Sequence, residues 1–208
     1  MRIILSATEP ELADAWERFC GDVSFVEVHR NSILELSCDA VVSPANSFGF
    51  MDGGIDMLFT GRFGWQVQER LQKLIREKHN GELLVGAAEI VETDNPVIRY
   101  VIAAPTMRVP MELKNSVNAY LAARAVLLLV RDGFFTEGMM KGEKISDYVE
   151  SLAFPGLGTG IGKIGFNTCA HQVRTAVDDV LLKPDNFPTS WVDAHERHRK
   201  LIRDFNFE

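Results

Sequence analysis

The sequence predicts an α/β fold in which helices cover a largely parallel or mixed β-sheet. Predicted strands alternate with predicted helices along the chain, an order typical of this class. The third predicted strand contains Ala40, Val41 and Val42, and such a continuously apolar run is expected where a strand is covered on both faces. The chain has 208 residues, 46% of them hydrophobic, and no internal repeat or Ser/Pro-rich linker divides it. We therefore expect one domain spanning residues 1–208.

The first half of the chain alternates between the two kinds of element. In order, the predictions are a strand at 2–6, a helix at 10–19, strands at 23–28 and 39–43, a helix opening near 55 and a helix at 65–78. Apolar residues recur at helical spacing from Val67 to Ile75, and Gly81 ends that helix. Consecutive elements of this length fit the layered α/β class.

The second half continues the alternation. It contains predicted strands at 88–92 and 97–103, a helix, a strand at 150–154, a helix at 167–182 and a final helix at about 190–205. The helix after residue 103 carries Val117, Leu121, Ala125 and Leu128 on one face. Residues 132–149 mix Phe and Met with Gly and Lys, and we interpret them as an insertion before the next strand.

Several classes of protein are excluded by simple features. The apolar runs fall well short of the length that crosses a bilayer, and residues 1–16 lack the pattern of a signal peptide, so we expect a cytoplasmic protein that does not enter a membrane. The cysteines Cys20, Cys38 and Cys169 are widely spaced and form no CxxC pair. They predict neither a disulfide framework nor a zinc site, and we expect no metal and no cofactor.

The net charge narrows the choice of ligand. With 22 Lys and Arg against 29 Asp and Glu, the chain carries a net charge of -7, which disfavours nucleic-acid binding. An anionic ligand would have to be held by backbone N–H groups and helix N-termini. Glycine-rich loops are the places where such a site can form.

Two loops that follow predicted strands have this character. Gly53 and Gly54 precede a predicted helix, where a glycine lets the backbone approach a phosphate; a plain loop with a glycine turn is the alternative. The second loop, residues 155–165, reads PGLGTGIGKIG. It matches G-x-G-x-x-G, but late in the chain rather than in the first βαβ unit, and Leu157 and Ile164 exclude a Walker loop.

Taken together, the two loops resemble the signatures of the macrodomain family. DAVVSPANS at residues 39–47, followed by GGID at 53–56, is similar to the family's D-A-I-V-N-A-A-N-S and G-G-V-D. FPGLGTGIG at residues 154–162 is similar to its F-P-x-x-S-T-G-I/V-aromatic-G. The resemblance covers at least residues 23–180. It implies a three-layer α/β/α sandwich with a central mixed, largely parallel sheet, and a site for ADP-ribose.

The resemblance also implies roles for individual residues. Asn46 matches the asparagine that holds the distal ribose, and Asp56 matches the aspartate that orients or activates water in hydrolytic members. At the first turn of a helix, Asp56 is expected to keep a low pKa, and simple capping of its helix is the alternative role. The expected ligand-binding residues, which include N–H donors to the diphosphate, are Ala45, Ser47, Gly53, Gly54, Ile55, Gly158, Thr159, Gly160, Ile161 and Gly162.

The chain departs from the family pattern at several positions. Ser43 stands where the family has its first asparagine, and Ser32 stands where an aspartate often contacts adenine, so Ser32 and Glu35 are candidates for that contact. Gly162 replaces a bulky aromatic residue beside the distal ribose, which predicts a wider pocket. Phe48 and Phe50 either form a wall beside the ribose or pack into the core.

The resemblance implies a protein that binds ADP-ribose and hydrolyses an ADP-ribose derivative, with Asn46 and Asp56 as the catalytic residues. That derivative is an ADP-ribosylated protein, an O-acyl-ADP-ribose or an ADP-ribose phosphate. Asn46 and Asp56 favour catalysis, whereas Ser43 and Gly162 favour a non-catalytic reader of ADP-ribose. A scaffold protein with an idle pocket is a third possibility. The partners expected are free ADP-ribose or an ADP-ribosylated protein.

Overall fold

The computed structural model describes residues 1–44, 46–203 and 205. The strands among them are β1 Arg2–Ser6, β2 Val26–His29, β3 Ala40–Ser43, β4 Glu89–Glu92, β5 Tyr100–Ala103 and β6 Ser151–Phe154. The α-helices are α1 Pro10–Cys20, α2 Gly54–Phe63, α3 Gln66–Lys78, α4 Asn118–Asp132, α5 Phe166–Val177 and α6 Trp191–Leu201. Short 3-10 turns lie at Ile33–Glu35 and Ile145–Asp147, and a π-helical turn at Asp178–Leu182 extends α5.

The described strands form one sheet in the order β2-β1-β6-β3-β5-β4. All neighbouring strands are parallel except β4, which runs antiparallel to β5. Leu5 lies opposite Phe154, and Ser43 lies opposite Ala103, so the carboxyl ends of these parallel strands meet at one edge of the sheet. The predicted mixed, largely parallel sheet is confirmed.

Helices cover both faces of the sheet because alternate strand residues point to opposite sides. Ile3 and Leu5 of β1 belong to a core that contains residues of α1, α4 and α5, including Trp16. Ile4 belongs to a second core that contains residues of α2 and α3, including Phe59. These two cores on either side of the sheet confirm the three-layer α/β/α architecture.

The buried face of α4 differs from the predicted one. Its buried residues are Ala119, Ala122, Ala123, Ala125, Val126, Leu127 and Val130, whereas Val117, Leu121 and Leu128 are only half-buried. The helix is apolar around most of its circumference, so spacing alone does not identify the side that packs against α5. The predicted helix is confirmed, but of the four residues assigned to its apolar face Ala125 is buried and the others are half-buried.

Helix α6, the last of the described helices, is shorter than the predicted helix at about 190–205. Helix α6 stops at Leu201, which is its buried residue, and Trp191 at its start is 82% exposed. The Ser190 hydroxyl caps the helix by accepting a hydrogen bond from the Asp193 N–H. Phe205 lies beyond the helix, with its ring edge-on to that of Phe19.

Residues 132–149 pack against the core through Phe135, Ile145 and Val149, which are all buried. Phe135 is buried against the rings of Tyr100 and Tyr148, whereas Phe134 and Met139 are exposed. The segment is thus anchored at one end of β5. Its origin as an insertion stays a prediction.

The described residues also bear on the excluded classes. No helix among them is both long and apolar enough to span a bilayer. Cys20, Cys38 and Cys169 are buried free thiols. No group of three or more His, Cys, Asp or Glu in this part of the chain is arranged to hold a metal ion. The cytoplasmic location stays a prediction.

Candidate functional site

A cleft of about 390 Å³ lies at the edge of the sheet where the parallel strands end. Ligand sites in open α/β sheets occur at this edge. Among the described residues, five loops border the cleft, one each after β1, β2, β3, β5 and β6. The lining residues are Ser6, Ala7, Thr8, Glu9, Leu12, Ser32, Ile33, Pro44, Asn46, Phe50, Asp52, Gly53, Gly54, Ile55, Asp56, Leu58, Thr106, Met107, Pro110, Pro155, Gly156, Gly158, Thr159, Gly160, Ile161 and Gly162.

The N-terminus of α2 forms one wall. Gly53 is the N-cap, and Gly54 has a φ of 56°, a left-handed conformation that favours glycine. A Cβ atom at either position would meet no atom within 4 Å. The N–H groups of the first helical turn have no partner within the helix, so Gly54, Ile55 and Asp56 present backbone donors here. This wall is suited to an anion.

The loop after β6 forms the opposite wall. Gly158 has a φ of 69°, and a Cβ there would lie 2.8 Å from Ile164 Cδ1. The carbonyl oxygen of Gly158 accepts a hydrogen bond of 3.0 Å from the Ile164 N–H, and that of Gly162 accepts one of 2.7 Å from the Leu113 N–H. Gly160 differs, because a Cβ there would meet nothing within 4 Å. The loop is therefore held firmly on its outer side and open on the side of the cleft.

Asp56 lies at the foot of the cleft, in the first turn of α2. Its Oδ1 accepts a hydrogen bond of 2.6 Å from the Ser43 hydroxyl, and both residues are buried. Burial raises the pKa of Asp56 to about 7, and the hydrogen bond from Ser43 opposes that shift. The prediction of a low pKa was wrong because desolvation outweighs the helix dipole.

The capping role proposed as an alternative for Asp56 is not what the contacts show. In the described part of the chain, the hydrogen bond to this carboxylate comes from the Ser43 hydroxyl and not from a backbone N–H of the helix. One carboxylate oxygen is thus engaged by Ser43. Ser43 stands at the position of the family's first asparagine, and its hydroxyl donates a hydrogen bond to the Asp56 carboxylate.

Asn46 lines the cleft, and its side chain orders its own loop. Its Oδ1 accepts hydrogen bonds from the N–H groups of Phe48 and Phe50, at 3.1 and 3.3 Å. Its Nδ2 donates to the Phe50 carbonyl oxygen at 2.8 Å. An asparagine amide has two N–H donors, and within the described part of the chain one of them has a partner, which leaves the other for a ligand.

The other predicted ligand-binding residues divide into three groups. The structure brings Gly53, Gly54, Ile55, Gly158, Thr159, Gly160, Ile161 and Gly162 together around the cleft. Ser47 is buried outside the lining, where its N–H donates to the Arg108 carbonyl and its own carbonyl accepts from the Leu83 N–H. Ala45 lies outside the described residues.

The positions that depart from the family pattern have distinct surroundings. Ser32 lines the cleft, and its hydroxyl accepts a hydrogen bond of 3.3 Å from the Leu34 N–H, whereas Glu35 is not among the lining residues. Phe50 is exposed and lines the cleft. Phe48 is half-buried, with the Arg108 guanidinium 5.0 Å from its ring centre. Phe50 is thus the aromatic residue beside the site.

Sequence reasoning missed the contributions of two loops. Thr8 and Glu9 follow β1, and Thr106 and Pro110 follow β5, without any glycine motif to mark them. The available signal was topological, because strands that run parallel in one sheet place their following loops at the same edge.

The charge of the cleft is unusual for an anion site. Glu9, Asp52 and Asp56 are its carboxylates, and none of the lining residues that the structure describes is Lys, Arg or His. A negatively charged ligand would meet no cationic side chain there. Backbone N–H groups and the N-terminus of α2 would have to hold it.

Comparison with known proteins identifies the fold family. The profile of the Macro domain family matches residues 42–173. An uncharacterized protein of Aquifex aeolicus is 30% identical over 148 residues, which is 71% of this chain and 78% of that protein.

Two solved structures are similar in fold. The macrodomain of Mycobacterium tuberculosis DarG has a TM-score of 0.55 at 20% identity, covering 72% of this chain and 87% of that one. A mutant of the Oceanobacillus iheyensis macrodomain with ADPR has a TM-score of 0.57 at 17% identity, covering 71% and 73%. Since the profile spans well over half of its 208 residues, the chain belongs to the macrodomain family.

Proposed function

We propose that this macrodomain binds ADP-ribose in the cleft and hydrolyses an ADP-ribose derivative. The observation that carries the proposal is the position of Asp56, a buried carboxylate beside a cleft whose two walls offer backbone N–H groups. The acid and the anion-binding walls are within one cavity of about 390 Å³. The similar macrodomain of Oceanobacillus iheyensis has been solved with ADP and with ADPR.

The diphosphate is proposed to lie between the two glycine-bearing walls. Gly53, Gly54 and Ile55 would donate from the start of α2, and residues 158–161 would donate from the opposite loop. The α2 dipole favours negative charge at this point. Because neither wall depends on a cationic side chain, the salt dependence of binding should reflect screening of the α2 dipole and of the cleft carboxylates rather than loss of ion pairs with Lys or Arg.

Hydrolysis would use Asn46 and Asp56. The free N–H of the Asn46 amide would hold a hydroxyl of the distal ribose, and Asp56 would accept a proton from a water molecule. In an ADP-ribosylated protein or an ADP-ribose phosphate, the water oxygen would form a bond to the anomeric carbon of that ribose, the bond from this carbon to the acceptor would break, and the acceptor would leave with the proton that Asp56 took from the water. In an O-acyl-ADP-ribose, the water would attack the acyl carbonyl carbon instead, and the ribose hydroxyl would leave with that proton. A carboxylate with a pKa of about 7 is matched to a base that works near neutral pH.

A reader that binds ADP-ribose without cleaving it is the second candidate. The hydrogen bond from Ser43 to Asp56 favours it, because that bond occupies one of the two carboxylate oxygens. A scaffold protein with an idle pocket is the third candidate, and it would leave the cleft without a ligand.

One set of measurements separates the three. Free ADP-ribose is titrated by calorimetry, its effect on the melting temperature is recorded, and turnover is measured with an ADP-ribosylated protein, an O-acyl-ADP-ribose and an ADP-ribose phosphate. We expect saturable binding, a rise in Tm that grows with ligand concentration, and turnover of at least one substrate. Binding without turnover of any substrate would support the reader. No shift in Tm with millimolar ADP-ribose would contradict the whole proposal, and adenine alone should bind weakly.

A further inference from the structure

The mouth of the cleft carries exposed apolar side chains from four different elements. Phe50 comes from the loop after β3, Leu58 from α2, Pro110 from the loop after β5 and Ile161 from the loop after β6. Phe50 is 53% exposed, Leu58 50% and Ile161 58%. These four residues, here called the apolar rim, all line the cleft.

The rim is not explained by packing within the domain. On α2, Phe59 and Phe63 face the core and are buried, whereas Leu58 is half exposed on the side of the cleft. Apolar side chains scattered singly over a surface need no explanation, but four that line one opening mark a contact surface. A group that projects from the cleft would meet them first.

Charge decides which kind of partner the rim fits. The cleft has the carboxylates Glu9 and Asp52, both exposed, and among the described lining residues there is no Lys, Arg or His. A nucleic-acid strand or an anionic lipid surface would be repelled here, because both need cationic side chains for binding. A protein segment with an apolar side chain has no such requirement, and a basic residue in it would be attracted to Asp52.

We propose that the apolar rim binds an apolar side chain next to the ADP-ribosylated residue of a protein, so that this macrodomain selects modified sites by their sequence. The inference rests on the proposed function, because the cleft must first hold the ADP-ribosyl group. The rim then adds affinity for the chain that carries the group.

The test compares two peptides that carry ADP-ribose through a non-hydrolysable linkage and differ only in a leucine or a serine next to the modified residue. Calorimetry with the full chain should give about tenfold tighter binding of the leucine peptide, since one buried leucine contributes on that order. Leu58→Ser should abolish the difference. Leu84→Ser is the matched control, because Leu84 is 62% exposed and outside the cleft, and it should preserve the difference.

Other outcomes would overturn the proposal in distinguishable ways. Equal affinities for the two peptides, together with normal binding of free ADP-ribose, would remove the rim's role and leave the proposed function intact. Tighter binding of an ADP-ribosylated oligonucleotide or of a fatty-acyl ADP-ribose than of the leucine peptide would assign the rim to a different partner. Failure of free ADP-ribose to bind would end the proposed function and this inference with it.

Discussion

The two glycine-bearing loops of the cleft use glycine for opposite purposes. At Gly53 and Gly54, a Cβ atom would meet nothing, so the absence of a side chain leaves the backbone open to the cleft. At Gly158 and Gly162, a Cβ atom would collide with Ile164 or with backbone, so glycine is needed there for packing. The density of glycines after β6 therefore reflects the shape of that loop as much as contact with a ligand.

The two loops also contribute different chemical groups to the cleft. Ser43 ends β3, and Asp56, the proposed base to which its hydroxyl donates a hydrogen bond, lies in the first turn of α2. The loop after β6 contributes backbone, the Thr159 hydroxyl and the apolar Ile161 side chain, and no charged side chain of it lines the cleft. Substitutions at Asp56 or Ser43 should therefore affect turnover, whereas substitutions in the loop after β6 should affect binding or stability.

The largest effect is expected from Asp56→Asn. If Asp56 is the base, removing its charge should lower turnover by roughly 10²–10⁴-fold, the usual contribution of such a group. Affinity for ADP-ribose should stay within a few-fold, because the walls are unchanged. Single-turnover assays and calorimetry on the same preparation measure the two quantities, and a wild-type rate would contradict the role given to the carboxylate.

The same variant provides a control through its stability. The pKa of Asp56 is raised from 3.8 to about 7 in the folded protein, so this group lowers the stability of the wild type as pH rises through that interval. Asparagine does not titrate. The urea midpoint of Asp56→Asn should therefore rise relative to that of the wild type between pH 4 and pH 8. A difference that is constant with pH would show that folding does not raise the pKa of this carboxylate.

The sequence predicted the layers better than the electrostatics of the site. Alternation of strands and helices, and the apolar strand at Val41, follow from burial in a covered sheet, and burial dominates the choice of fold. The pKa of Asp56 depends on how completely β3 and α2 exclude water from its carboxylate. No local sequence pattern predicts that degree of burial. The surroundings of Ser47 also depend on distant residues, since its backbone pairs with Leu83 and Arg108, and its role in binding stays a prediction.

In the loop after β6, Gly160 lines the cleft and has open space where a Cβ atom would lie. Its substitution therefore tests whether this loop binds the ligand. Gly160→Glu should lower the affinity for ADP-ribose by about 100-fold or more, because it places a negative side chain where a phosphate is proposed to lie. The circular dichroism spectrum should stay native, since a Cβ there meets nothing within 4 Å. Gly160→Ala is the matched control, and it should bind nearly normally. Normal binding by Gly160→Glu would show that this loop does not hold the phosphate.

Gly158→Ala tests packing in the same loop. A Cβ there would lie 2.8 Å from Ile164 and 3.1 Å from Leu113, at a φ of 69°. We expect a loss of about 1–3 kcal/mol in the free energy of unfolding, which corresponds to a fall in Tm of roughly 2–12 °C. Thermal melts of Gly158→Ala and Gly160→Ala side by side measure the contrast. Equal Tm values would contradict the division of glycines into packed and open.

Ser43→Ala is expected to have the smallest effect. It tests how the hydrogen bond from Ser43 influences Asp56. The Ser43 hydroxyl donates to Asp56 Oδ1 at 2.6 Å and stabilises its charged form, so removing the hydroxyl should raise the pKa of Asp56 further above 7. A base acts when ionised, so the acidic limb of the pH–rate profile should move up by roughly one pH unit. Turnover would then fall several-fold at pH 6 and approach the wild-type rate at pH 9. A loss of equal size at every pH would instead place the Ser43 hydroxyl on the substrate, as the asparagine at this position in the family pattern suggests. In that case the affinity for ADP-ribose should fall with the rate, and calorimetry at pH 9, where Asp56 is ionised in both proteins, separates the two roles.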